Sequence, residues 1–454
     1  MVTNLDYIAY PLPEDIERLV LGGDLARARR VIDARIASAK TPDCLRERLE
    51  LEKKILDEIP RTYALSEADL LQGLQARYEG FTREEMERLR DEGTLDWVYI
   101  EGCVLYKNNA LDNVLKTRPE LNARLKDPAL LADSDKNAKM LDEMIARMKR
   151  DGHAHLRFRV RAELTIDEHA QRPGKRIRVH LPLPLKDGQC TPGEIVTAPA
   201  AHIAAEDHPQ RTAYFEAVYA PGMVFSAEYA YDIDAPYVDP DPEAVSPEQP
   251  HFDTGEVLPQ IQFTPYIRAL CRELQGGETN PLRIARRFYD YCTVNCCYRF
   301  VPPYFTKTNI PEYFGAGQRG DCGMHALLFI TLCRCAGIPA QWQAGLYTRP
   351  GEAGCHDWAR FYVAPYGWLY CDASFGGSAW RAGSRERWNF YFGNLEPFRM
   401  VANRDLQQDF DPPKKFLRAD PYDSQLGEVE YEDEGLTLHD FTTQLTVLSC
   451  EVVD

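Results

Sequence analysis

The stretch from Asp321 to Ala340, "DCGMHALLFITLCRCAGIPA", constrains the fold more than any other. Met324, Leu327, Leu328, Ile330 and Leu332 make a helix that is apolar on most of its faces, so other elements must surround it in a domain core. Asp321 is a fitting N-cap, and Gly337 followed by Pro339 marks the end. Cys322 therefore falls in the first turn, where unpaired backbone N–H groups and the positive end of the helix dipole favour a thiolate.

The glycines just before the helix admit a rival reading. Gly315, Gly317 and Gly320 spell G-x-G-x-x-G, the pattern of a dinucleotide-binding loop. Such a loop follows a buried strand and needs an acidic residue about twenty positions on. Here the preceding "TNIPEYF" contains Pro311 and few apolar residues, and no Asp or Glu occurs between Asp321 and Glu352. The glycines are read instead as a tight entry into the helix.

Period and turn residues divide the rest of the chain. Residues 1–150 read as a helical N-terminal region, with capping-box starts at Ser66/Asp69 and Thr82/Glu85. From 151 to 235 the period becomes two, as in "HLRFRVRAELTID", and four or more short strands predict a β-sandwich. Residues 236–258, rich in Pro, Asp and Glu, read as a linker. Residues 259–400 form the core around the buried helix, including a helix capped by Asn280 with Pro281 at its first position, and a short strand in "CCYRFVP". Residues 401–454 read as an acidic tail ending in a strand, "TTQLTVLSCEVV".

A thiol at a helix start becomes a nucleophile only with a base, and "HDWARFYVAPYGWLYCDAS" offers one. His356 opens the first strand of a hairpin turning at Pro365–Gly367, and Asp372 lies near the end of the second. The turn brings the two near cross-strand register, where Asp372 would orient His356 and His356 would pair with Cys322. A neighbouring imidazolium can lower a thiol pKa to about 3–4 and give an ion pair at neutral pH. His325, three residues after Cys322, is a rival base, but a same-helix side chain is poorly placed to be held by a distant acid.

"RGDCGMHALLFITLCRCAGIPAQWQAG", "CHDWARFYV" and "GWLYCDAS" together resemble the transglutaminase-like core of the papain-type cysteine enzymes, from about residue 280 to 376. The resemblance implies an α+β multidomain protein: a papain-like transglutaminase core, its central helix on an antiparallel sheet, preceded by a β-sandwich and a helical N-terminal domain. It implies Cys322 as nucleophile, His356 as base and Asp372 as orienting acid. Asp357 departs from the family's usual small residue, and Ala373-Ser374 from its Pro-Thr. One oxyanion donor is the Cys322 backbone N–H; the second is Tyr298 or Gln318, with Tyr298 favoured.

The implied chemistry is thiol-dependent acyl transfer, with hydrolysis of a peptide or isopeptide amide first. Cross-linking to an amine, deglycosylation of asparagine amides, and a non-catalytic binding or scaffolding module are the alternatives. No cofactor and no metal are expected, because the scattered cysteines lack paired C-x-x-C knuckles. The expected partner is a peptide or protein amide substrate, with a protein contact through the helical N-terminal region. The net charge of −17 argues against nucleic acid and an anionic membrane. A start without a basic and apolar leader, no long apolar run and thirteen cysteines point to a reduced, cytoplasmic protein.

Overall fold

A computed structural model describes residues 5–453. Helices α1 (Glu14–Leu21), α2 (Leu25–Ala37) and α3 (Asp43–Thr62) pack around Ile16, Ile32 and Leu49 as a small core of their own. A second core, around Leu70, Met86 and Tyr106, joins strand β1 (Tyr63–Ser66), helices α4 (Glu67–Arg77) and α5 (Arg83–Asp91), strands β2 (Trp97–Ile100) and β3 (Cys103–Lys107), and helix α6 (Ala110–Thr117). The region is thus not purely helical: β1, β3 and β2 pair antiparallel as a three-stranded sheet. Strands of four and five residues are too short to show a period in the sequence. Both predicted N-caps form, and Thr82 with Glu85 completes a capping box. Helix α7 (Ala132–Asp151) then leads into the sandwich.

The sandwich holds strands β4 (His153–Ile166), β5 (Arg176–Pro182), β6 (Cys190–Ala198), β7 (His202–Ile203), β8 (Thr212–Val218) and β9 (Phe225–Pro236). Burial alternates strictly along β4 and β9, as their period of two requires. Residues 236–258 are not a free linker: Ser246 N–H donates to the Ala364 carbonyl at 2.9 Å, and Ala364 N–H donates to Gln249 Oε1 at 2.8 Å.

The core begins with α8 (Pro265–Gln275) and α9 (Pro281–Asp290), the latter capped by Asn280 as expected. The predicted strand at 296–302 shrinks to β10 (Cys297–Tyr298). After α10 (Ile310–Gly317), β10 pairs in parallel with β11 (Arg319–Gly320), so Tyr298 lies opposite Gly320 beside the start of α11 (Cys322–Cys335). The glycine pattern belongs to packing: a Cβ at Gly320 would stand 2.6 Å from Phe314 and 2.8 Å from Met324. Nearly every residue of α11 is buried, against strands β12 (Ala340–Arg349) and β13 (Glu352–Val363) among others. Strand β14 (Gly367–Cys371), helices α12 (Ala373–Arg381) and α13 (Arg385–Phe390), and strands β15 (Phe392–Gly393) and β16 (Arg399–Arg404) complete an antiparallel sheet ordered β15-β14-β13-β12-β16.

The C-terminal residues are not a separate tail. β17 (Glu428–Tyr431) joins one sandwich sheet beside β5, and β18 (Phe441–Val452) runs along β4 in the other. β4 would otherwise present a long unpaired edge, which β18 covers almost end to end.

Candidate active site

Asp321 caps α11 through a bond from Met324 N–H to Oδ1 at 3.2 Å, which fixes Cys322 as the first helical residue. The Tyr304 hydroxyl donates to the same carboxylate oxygen. Burial raises the Asp321 pKa to about 6, although the Tyr304 and Met324 hydrogen bonds pull the other way.

The hairpin sets His356 and Asp372. Val363 pairs with Gly367 and Ala359 with Cys371, so the register would carry Asp372 opposite Trp358, two residues from His356. Asp372 closes that gap as the N-cap of α12, accepting from Phe375 N–H at 2.9 Å, and its Oδ2 meets His356 Nε2 at 2.7 Å. Arg399 binds the same oxygen at 2.9 Å and Glu396 at 2.6 Å. Burial pushes the Asp372 pKa up, but the charge and hydrogen bond of His356 and the Arg399 guanidinium outweigh it, so the carboxyl lies well below its ordinary range. Burial lowers the His356 pKa against the pull of Asp372. Phe375 packs edge-on against the ring at 4.8 Å, limiting its orientation.

The half-buried thiol of Cys322 meets a different residue. Its Sγ–H donates to Asp357 Oδ2 at 3.4 Å, and the Asp357 backbone N–H also reaches the sulfur. Among the described residues no hydrogen bond joins Cys322 to His356. Strand alternation places Asp357 with Ala359 and Phe361 on the side of β13 facing α11, where Phe361 touches Phe329 at 5.5 Å. Gly323 makes room for the carboxylate: a Cβ there would lie 2.8 Å from Asp357 Oδ2 and 2.9 Å from Trp342. Burial and the charges of Asp357 and Asp321 raise the thiol pKa well above its ordinary value. Burial and these charges act against the expected thiolate–imidazolium pair, favouring the neutral thiol at Cys322 and the neutral imidazole at His356.

The segment between β16 and β17 covers this contact. Gln425 Nε2 donates to Asp357 Oδ1 at 2.5 Å and to the His356 carbonyl at 3.0 Å. Burial and the charges of Asp420 and Asp357 raise the Asp423 pKa well up. Asp357 itself rises to about 7, through burial and then, against the Asp423 bond, the charges of Asp321 and Asp420. A cation from outside the core also acts on the thiol: Lys116 of α6, whose ammonium lies over the Tyr298 ring at 4.0 Å and whose pKa burial lowers.

Tyr298 lies in this neighbourhood as expected. Burial and the charges of Cys322, Asp321, Asp357 and Asp372 raise its pKa well up, so its hydroxyl remains a donor. Gln318, the other candidate, caps α10 in a left-handed conformation. His325 Nδ1 is engaged by the Asp321 carbonyl at 2.7 Å, and burial lowers its pKa to about 4, so it is not placed as the base. Sequence reasoning missed Lys116, Arg399, Asp423 and Gln425. Asp357 did carry a signal, as the charged residue where the resembled family has a small one.

Residues 268–373 match the family model of the transglutaminase-like superfamily. No curated protein is significantly similar to the chain. Among solved structures, a proposed cysteine protease from Cytophaga hutchinsonii is 13% identical, with a TM-score of 0.43 over 66% of this chain and 93% of that one. The periplasmic domain of TgpA from Pseudomonas aeruginosa is 16% identical, with a TM-score of 0.28 over 54% and 94%. A proposed protease from Parabacteroides distasonis is 12% identical, with a TM-score of 0.22 over 52% and 47%. No helix of the described residues is long and apolar enough to cross a membrane.

Proposed function

We propose that this transglutaminase-like core is a thiol-dependent acyl-transfer site that hydrolyses a peptide or isopeptide amide, with Cys322 as nucleophile, His356 as base and Asp372 as orienting acid. The observation that carries the reading is the buried His356–Asp372 pair at 2.7 Å, on a strand whose next residue holds the thiol at a helix N-terminus. In the reaction, Cys322 sulfur bonds to the amide carbonyl carbon as its proton passes to His356. His356 then protonates the leaving amine, and water cleaves the thioester. Asp372, ionised throughout, stabilises the imidazolium that forms between these steps. The backbone N–H of Cys322 and the hydroxyl of Tyr298 are the proposed oxyanion donors. Thirteen free thiols favour a reducing compartment, the cytoplasm, and the N-terminal region is proposed as a contact for a protein partner.

A peptide-amide library, read by mass spectrometry with and without an added primary amine, tests this. Hydrolysis products lost in Cys322→Ala and His356→Ala support the hydrolase, and amine adducts favour the cross-linking alternative. If no amide turns over and an activated ester fails to acylate Cys322, the binding-module alternative replaces both.

A further inference from the structure

Buried polar contacts tie Lys116 to the neighbourhood of the thiol. Asn113, one turn before it on α6 and 3% exposed, accepts from Phe300 N–H at 2.9 Å and donates to the Thr94 carbonyl at 2.8 Å. These bonds dock the end of α6 on the stretch that follows β10. The Lys116 ammonium then lies 4.0 Å from the Tyr298 ring and 5.0 Å from the Phe300 ring. Tyr298 in turn pairs with Gly320, two residues before Cys322. Cys322, Tyr298, Phe300 and Lys116 all keep contact with solvent, whereas His356, Asp357 and Asp372 are buried. The open side of the site is therefore the side that carries Lys116.

Among the described residues, no carboxylate forms an ion pair with this ammonium. Two guanidiniums beside the same short strands are alike in this. Arg319, on β11 opposite Cys297, donates to the carbonyls of Gln318 and Glu92 at 3.0 and 3.1 Å. Arg381 ends α12, which packs on β10.

We infer that Lys116 is a substrate-binding residue of the acyl-transfer site, holding a carboxylate that the substrate carries beside the scissile amide. The inference rests on the acyl-transfer reading and narrows its substrates to amides with an acidic side chain, or a free C-terminal carboxylate, next to the bond that Cys322 attacks. An acyl group whose carbonyl oxygen meets the Tyr298 hydroxyl would have the ammonium beside it, over the same ring. The ring contacts use the aromatic faces and leave ammonium N–H groups to donate to an anion. Lys116 keeps solvent contact, yet desolvation lowers its pKa against the charges of Cys322 and Asp321. A partly dehydrated cation without a close counter-ion is costly, and a bound carboxylate offsets that cost with a charge-assisted hydrogen bond. Arg319 and Arg381 extend the positive field around it, which draws an anionic substrate to the opening.

The test compares alkylation of Cys322 in the full-length protein by iodoacetate and by iodoacetamide, which differ only in carboxylate against carboxamide. Cys322→Ala is the blank, and the ratio of the two rates cancels any change in thiol pKa. In Lys116→Gln the iodoacetate-to-iodoacetamide ratio is expected to fall about fivefold or more, through loss of one close charge contact. Lys116→Arg is expected to restore most of it, and Lys40→Gln, in the turn between α2 and α3, to leave it unchanged. A ratio in Lys116→Gln within about twofold of wild type overturns the inference, as does an equal fall in Lys40→Gln. A peptide-amide library supplies the substrate arm. Turnover is expected to favour Asp or Glu, or a free rather than amidated C-terminus, beside the cleaved bond, and Lys116→Gln to lose that preference in kcat/KM. Whichever of the two is enriched identifies the source of the carboxylate. Turnover indifferent to both overturns the inference and leaves the acyl-transfer reading standing. If no amide turns over, the acyl-transfer reading falls, and the alkylation ratio alone upholds or overturns the carboxylate site.

Discussion

Replacing Asp357 by Asn removes the carboxylate hydrogen-bonded to the Cys322 thiol, and the consequence can be sized. Two unit charges at the observed 3.4 Å repel by about 5 kcal/mol at an effective dielectric of ~20. That equals roughly 3.6 units of thiol pKa. The amide retains a dipole and admits water, so a fall of about two units is expected in the variant, raising the thiolate fraction about a hundredfold. A thiolate loses nucleophilicity as its pKa falls, with a slope of about 0.4–0.5, which leaves a net gain of about tenfold in alkylation. The assay is intact-mass labelling of Cys322 by iodoacetamide from pH 6 to 9, with Cys322→Ala as the blank. Because Asp357 titrates near 7, the variant and wild type should nearly coincide at pH 6 and diverge above it. A variant that labels at the wild-type rate, or slower, at pH 8 refutes the reasoning. The slower result would mean that the carboxylate extracts the thiol proton.

Other perturbations address the support of the site. Arg399→Met leaves the buried carboxylates of Asp372 and Glu396 without their cation and should cost about 3–5 kcal/mol by urea denaturation; a loss under ~1 kcal/mol contradicts this. Gly323→Ala drives a methyl into the Tyr304 hydroxyl, Asp357 and Trp342, and should destabilise by about 1–3 kcal/mol; unchanged stability with wild-type Cys322 labelling would place the carboxylate elsewhere. The folded-state pKa of Asp357 is raised, so its protonated form favours folding. Its contribution is full below the unfolded value of about 3.9 and is lost as pH rises to about 7. The stability of wild type minus that of Asp357→Asn should therefore fall across that window, and a difference that rises with pH reverses the sign and sinks the assignment.

Much of this architecture can be read locally. The all-round apolar pattern of residues 322–335 gives a buried central helix, and the alternation of 153–166 gives a half-buried strand, because each burial pattern repeats within one element. Partners distant in sequence leave no such trace. β18 pairs with β4 across an intervening stretch of sequence that holds the whole 268–373 segment, and nothing in "TTQLTVLSCEVV" names its partner. The site divides the same way. Cys322 announces itself as a helix-start residue, whereas Asp372, read as a strand end, proves to be a helix N-cap, and His356, read as opening its strand, lies four residues inside it. Arg399 looks like any strand arginine until the fold sets it between two buried carboxylates.

The charge state of the Cys322 thiol is consequently not a property of residues 268–373 alone. Within that segment Cys322 has a helix N-terminus in its favour and Asp321 and Asp357 against it. The balance is adjusted from outside: Lys116 supplies the opposing cation from the N-terminal region, while Gln425 and Asp423 hold Asp357 from the stretch that leads into the sandwich's last strands. Gln425 also donates to the His356 carbonyl, so one side chain holds both the residue bound to the thiol and the backbone of His356. The carboxylate beside the thiol and the backbone that carries the imidazole thus share one partner, a residue that no motif of the core contains.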